Sequence, residues 1–125
     1  MNQKLLSVLR LFNLVTQTTS TNGSAVDLQG YVNPGGRNMK AYVTGSATAG
    51  TTPNLNLKIQ ESTATGSGWG DITGATFAAV AATTPWSEEI HFVATKRYIR
   101  AVSTFDANTT SASYCVIALA ENRTV

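Results

Sequence analysis

Between Leu55 and Phe77 the chain carries the pattern that most narrows its choice of fold. Leu55, Leu57 and Ile59 alternate with Asn56, Lys58 and Gln60. A period of two sends alternate side chains to opposite faces of a strand, one toward a core and one toward water. The run Gly66-Ser-Gly-Trp-Gly70 then interrupts it, and glycine-rich chain continues neither a helix nor a ladder. Asp71-Ile-Thr-Gly-Ala-Thr-Phe77 follows with β-branched and aromatic residues suited to a returning strand. The unit reads as strand, loop, strand, with Trp69 near its tip.

The same grammar recurs along the chain. Asn22-Gly23 and Asn33-Pro-Gly-Gly36 are turn signals. Short strands are expected over 25–28, over 38–45, where Met39, Ala41 and Val43 alternate with polar neighbours, over 75–82 and over 88–94. Residues 47–53 read as a connection. Thr95-Lys96 is a tight turn into a strand over 97–105, and Asp106-Ala-Asn-Thr-Thr110 turns the chain into a last strand over 112–121. That strand is apolar on both faces, Tyr114/Val116/Ala118 and Cys115/Ile117/Leu119, as a strand covered on both sides would be. Residues 1–19 read differently. Leu5, Val8, Leu9 and Phe12 share a helical face, whereas Leu9, Leu11 and the β-rich Val15-Thr-Gln-Thr-Thr19 favour a strand. An arm or short helix to about residue 9 and a strand to about 19 are expected, followed by the main sandwich over 20–125. The chain's 125 residues suit one domain. About eight evenly spaced strands define an all-β single-domain sandwich, with a jelly roll preferred.

Charged residues are 13% of the chain, about half the usual share, with Thr, Ser, Asn and Gly in their place. The net charge of +2 argues against nucleic acid, whose binding requires many neutralised phosphates. The first fifteen residues are too short an apolar run to span a bilayer, and Arg10 splits them, so neither a membrane segment nor a signal peptide is expected. Cys115 is the only cysteine, which excludes an internal disulfide, and its apolar run reads as a small core position.

Catalytic groupings are not evident. His91 is the only histidine, out of phase with Ile90 and Phe92, and reads as a surface residue. No serine lies in Gly-x-Ser-x-Gly, and Glu88-Glu89, being adjacent on a strand, point to opposite faces. Gly66, Gly68 and Gly70 lack the following Lys-Ser/Thr of a phosphate loop. The expectation is a non-enzyme without cofactor or metal. Trp69, Trp86, Tyr98 and Tyr114 could form an aromatic platform that stacks on sugars or bases, with Trp69 in its glycine loop the better candidate. The alternative is that Trp69 folds back to cap one end of the sandwich or docks on a partner.

Leu57-Lys-Ile-Gln-Glu-Ser62, Gly68-Trp-Gly-Asp-Ile-Thr-Gly-Ala-Thr-Phe77 and Lys96-Arg-Tyr-Ile-Arg-Ala-Val102 together resemble a family of small β-sandwich proteins from the head gene clusters of tailed bacteriophages, similar to capsid decoration (cement) proteins. The resemblance spans about residues 25–120 and rests on strand and turn signatures. It implies a virion protein of the capsid surface, made in the host cytoplasm. Such a protein binds the major capsid protein and stabilises the head, as a homo-oligomer with a trimer favoured. The expected subunit contacts are Leu5, Val8, Leu9 and Phe12 of the N-terminal segment with Tyr114 and Val116 of the last strand. Gly-x-Trp followed by Arg-Tyr-Ile-Arg also resembles discoidin-like jelly rolls, which bind sugars or lipid headgroups through loops. A carbohydrate- or cell-surface-binding module is therefore the alternative, and a neck or tail component of the virion is a third.

Overall fold

The computed structural model describes residues 6–29, 37–50, 54–80 and 85–121. Nine strands are formed there: β1 (Leu6–Gln17), β2 (Thr21–Asn22), β3 (Val26–Asp27), β4 (Arg37–Gly50), β5 (Leu55–Ser62), β6 (Gly70–Thr76), β7 (Trp86–Ala94), β8 (Tyr98–Phe105) and β9 (Thr109–Glu121). They form two antiparallel sheets. Sheet A has the order β1-β9-β4-β7; sheet B has β2-β8-β5-β6, with the short β3 also on β8. The pairs β1·β9, β2/β3·β8, β4·β7 and β5·β6 nest inside one another along the sequence and fall alternately in the two sheets. A long hairpin rolled in this way is a jelly roll, with β2 and β3 sharing one of its eight positions.

The alternation around Leu55 becomes β5 with Leu55, Leu57 and Ile59 fully buried. Across the interior, sheet A contributes Leu9, Met39, Ala41, Val43, Ile90, Phe92, Tyr114, Val116 and Ala118. Sheet B contributes Ile72, Ala75, Ile99 and Ala101. The ring of Phe12 meets Tyr114 edge to face, with centroids 5.6 Å apart. Both sheets thus share one core.

Several local expectations are corrected. The segment read as an arm or helix to residue 9 is strand from Leu6 and pairs with β9, and no helix occurs among the described residues. A β-bulge explains the helical signal. The β1–β9 register shifts between Arg10 and Phe12, so the adjacent Leu11 and Phe12 are both buried and the inward set Leu9, Leu11, Phe12 includes a spacing of three. Asn22-Gly23 is not a hairpin turn: Thr21 and Asn22 pair with β8, and the Gly23 amide donates to the Ala101 carbonyl at 2.7 Å. A Cβ on Gly23 would lie 2.8 Å from the Leu11 carbonyl oxygen, so close backbone approach requires the glycine. The expected connection over 47–53 is strand as far as Gly50. The strand expected over 75–82 is β6, over Gly70–Thr76, followed by a single bridge between Val80 and Leu55. Asn33-Pro-Gly-Gly36 lies outside the described residues.

Polar side chains fasten the connections. Glu61 accepts from the Thr95 amide at 2.7 Å, the Thr95 hydroxyl at 2.9 Å and the Lys96 amide at 3.2 Å, tying the β7–β8 turn to β5. Arg97 forks onto Asp27 at 3.0 and 2.8 Å, which anchors β3. Asp106 accepts from the Thr109 hydroxyl and the Asn108 amide in the β8–β9 turn. Those bonds, the Thr109 side chain's first, hold its carboxyl below the ordinary carboxylate value.

Candidate interaction surfaces

A sandwich of this kind offers the outer faces of its sheets and the loops at its ends. Strand periodicity decides which side chains reach them.

On sheet B the outward positions of β5, β6 and β8 form a polar row. Arg100 donates to Gln60 Oε1 at 3.1 and 2.8 Å, Gln60 Nε2 donates to Asp71 at 2.8 Å, and Lys58 Nζ lies 2.9 Å from Asp71. The Gln60 bond, then Lys58, lowers the Asp71 pKa. The row ends on Trp69, whose ring lies under the Arg100 guanidinium at 4.5 Å. Trp69 is therefore half-buried and folded back onto sheet B, with one ring face occupied by a cation. Gly68 has a φ of 73°, a left-handed conformation that glycine adopts without strain, and Ser62 accepts from the Ala64 amide and donates to the Ser67 carbonyl inside the loop. The basic group Lys96-Arg97-Arg100 is not an open cationic patch, since Arg97 is held by Asp27 and Arg100 by Gln60 and Trp69.

On sheet A the register aligns outward side chains in rows across four strands. One row is Val8, Leu119, Lys40, His91; the next is Arg10, Ile117, Tyr42, Glu89; and Cys115, Thr44 and Ser87 belong to a third. Leu119, Ile117, Cys115 and Tyr42 are half-buried, and Val8 and Val93, at 63% and 47% exposure, are two of the three most exposed large apolar residues described. A depression of about 550 Å³ lies on this face beside Lys40, His91, Val93 and Leu119. His91 Nε2 contacts Glu89 at 2.7 Å, whereas Glu88, on the opposite side of β7, accepts from the Ala78 amide. Among the described residues no three His, Cys, Asp or Glu side chains come together as metal ligands would.

The residues expected to make subunit contacts do not share a surface. Val8 is exposed, but Leu9, Phe12, Tyr114 and Val116 are buried in the chain's own core, so these four are not available to a neighbour; Leu5 lies outside the described residues. The last strand has the opposite phase from the one expected, because Tyr114 is directed at Phe12 and the interior. Its outward members are Cys115, Ile117 and Leu119, so the cysteine is a half-buried outer residue and not a core one. The earlier positions of the same phase, Ser111 and Ser113, are the signal that could have settled this. Nothing in the order of the residues placed Arg10 and Glu89 in one row, since that needs the β1-β9-β4-β7 sheet order.

The fold and these faces define a jelly-roll module that presents sheet surfaces. No protein-family model and no curated protein matches the sequence. Solved structures do match in fold. The SPBc2 prophage-derived protein YomS superposes with a TM-score of 0.56 at 9% identity, over 98% of this chain and 97% of that one. A chain of infectious bursal disease virus, Gx strain, gives 0.57 at 8% identity over 97% of this chain, which spans 32% of the viral one. A protein of Bacillus endospore appendages, which form disulfide-linked pili, gives 0.50 at 14% identity over 98% and 93%. At these identities the likeness is one of fold.

Proposed function

We propose that the protein is a non-enzymatic structural component of a bacteriophage virion, a decoration or cement protein that binds the outer face of the major capsid protein and stabilises the head. The observation that carries the reading is the end-to-end match in fold and length to a prophage-derived protein. Occurrence of the same fold in a chain from a virus structure supports it. The low charge of the chain and its exposed apolar sheet face suit a subunit packed among others better than a solitary one. The test is to prepare virions with and without the protein and compare heat inactivation, with copy number measured by quantitative mass spectrometry. Hundreds of copies and loss of heat resistance on deletion are expected. Six or twelve copies would replace the cement role by a neck or tail position, and unchanged robustness at high copy would remove it.

A carbohydrate-binding reading draws on one observation, the Trp69–Arg100 stack continued by Gln60 and Asp71 on sheet B. An aromatic ring beside planar polar groups is the chemistry that holds a sugar. A specific glycan-array signal abolished by Trp69→Ala would favour it over the virion role.

A further inference from the structure

We infer that the outer face of sheet A is a self-complementary surface on which two copies of this chain pack face to face about a two-fold axis parallel to the strands. The inference stands independently of the virion reading. Its basis is the order of charge in the row Arg10–Ile117–Tyr42–Glu89: a cation at one edge strand, an anion at the other and apolar groups between them. A two-fold axis running along the strands between β9 and β4 sets β1 of one copy over β7 of the other. It therefore sets Arg10 over the partner's Glu89 and Glu89 over the partner's Arg10, with Ile117 against the partner's Tyr42. The perpendicular in-plane axis would superpose like charges, Arg10 on Arg10 and Glu89 on Glu89, and is disfavoured. Arg10 has no ion-pair partner among the described residues of its own chain, so the pairing displaces nothing at that edge.

Shape agrees with charge. The same axis sets Val8, the most exposed large apolar side chain described, over the partner's His91, at the depression beside Lys40, His91 and Leu119. Four strands about 4.8 Å apart and about ten residues of about 3.3 Å each give roughly 600 Å² per copy. About 1,200 Å² in all is the lower edge of a standard specific interface, so a reversible, concentration-dependent dimer is the expectation.

Sedimentation velocity of the full chain over about 1–200 µM reads the outcome. The expected result is a concentration-dependent dimer that Arg10→Glu and Glu89→Arg each weaken at least tenfold. The double variant Arg10→Glu/Glu89→Arg should restore the dissociation constant to within about threefold, because the charges then meet in the opposite order. Both side chains are exposed, and circular dichroism verifies that each variant is folded. Cys115 supplies a second reading, as its thiol-labelling rate should fall as the dimer forms and recover in the single variants. A monomer at 200 µM overturns the proposal. So does a trimer, an oligomer indifferent to both reversals (as edge-to-edge strand pairing would be), or a double variant that stays monomeric.

Discussion

Replacing Tyr114 by phenylalanine should make the protein more stable, although Tyr114 is the largest fully buried side chain. Its hydroxyl is sealed from solvent and has no hydrogen-bond partner among the described residues. The Ser103 hydroxyl facing it is already engaged with β2, accepting from the Thr21 amide at 3.2 Å and donating to the Thr21 carbonyl at 3.3 Å. Burying an unsatisfied hydroxyl costs roughly 1–3 kcal/mol on mutational scales. Tyr114→Phe removes that cost, keeps the ring and its edge-to-face contact with Phe12, and leaves a gap the size of one oxygen. With part of the gain lost to that gap, about 1 kcal/mol of added stability remains, or a rise in Tm of about 3–6 °C for a chain of this length. Thermal and urea unfolding measure it. A loss of more than about 1 kcal/mol would refute the reasoning, since it would mean that the hydroxyl makes a stabilising bond in the native state. The alkaline limb provides an internal control. Burial raises the folded pKa of Tyr114 above its ordinary value of 10.0. The neutral phenol is thus the form favoured by folding, and its contribution is complete below pH 10 and fades as pH rises from there through the folded pKa. The phenylalanine variant should lack that component, so its advantage over the parent should widen above pH 10.

Other perturbations test separate parts of the fold. Gly45→Ala should cost about 1–3 kcal/mol, because the added Cβ would meet the Trp86 ring at 2.4 Å; denaturant unfolding and a change in Trp86 emission are the readouts. Asp106→Ala should lower Tm at pH 7 by removing the acceptor of the Thr109 and Asn108 bonds. Because the folded pKa of Asp106 lies below 3.8, that difference should shrink as pH falls from 3.8 through the folded value, and a pH-independent difference would contradict the assignment. Trp69→Ala should change stability by less than about 1 kcal/mol, the value of an exposed cation–π contact, and leave the cooperative unfolding transition intact.

Period-two alternation over 55–60, 39–43 and 90–93 is local information, and the strands there lie within a few residues of where the pattern places them. With glycine- and asparagine-rich breaks between them, these runs determine an all-β sandwich, because alternating strands must bury one face on another sheet. They also place Glu88 and Glu89 on opposite sides of β7 and His91 on its outer side, since neighbouring strand residues cannot share a face. The helical reading of Leu9 and Phe12 failed because a bulge is a property of a paired strand, and its partner β9 lies a hundred residues away in the chain. The phase of β9 was only faintly written: apolar residues stand on both faces from Tyr114 onward, Ser111 and Ser113 alone mark the outward one, and the positions of Phe12 and of sheet B make Tyr114 inward and Ile117 outward. The row that joins Arg10, Ile117, Tyr42 and Glu89 draws on four strands spread from one end of the sequence to the other. Sequence alone determined the kind of sheet, through the two-residue repeat of the backbone; the tertiary structure decided which face meets water and which charges stand opposite each other, because strand order and register are set by long-range pairing.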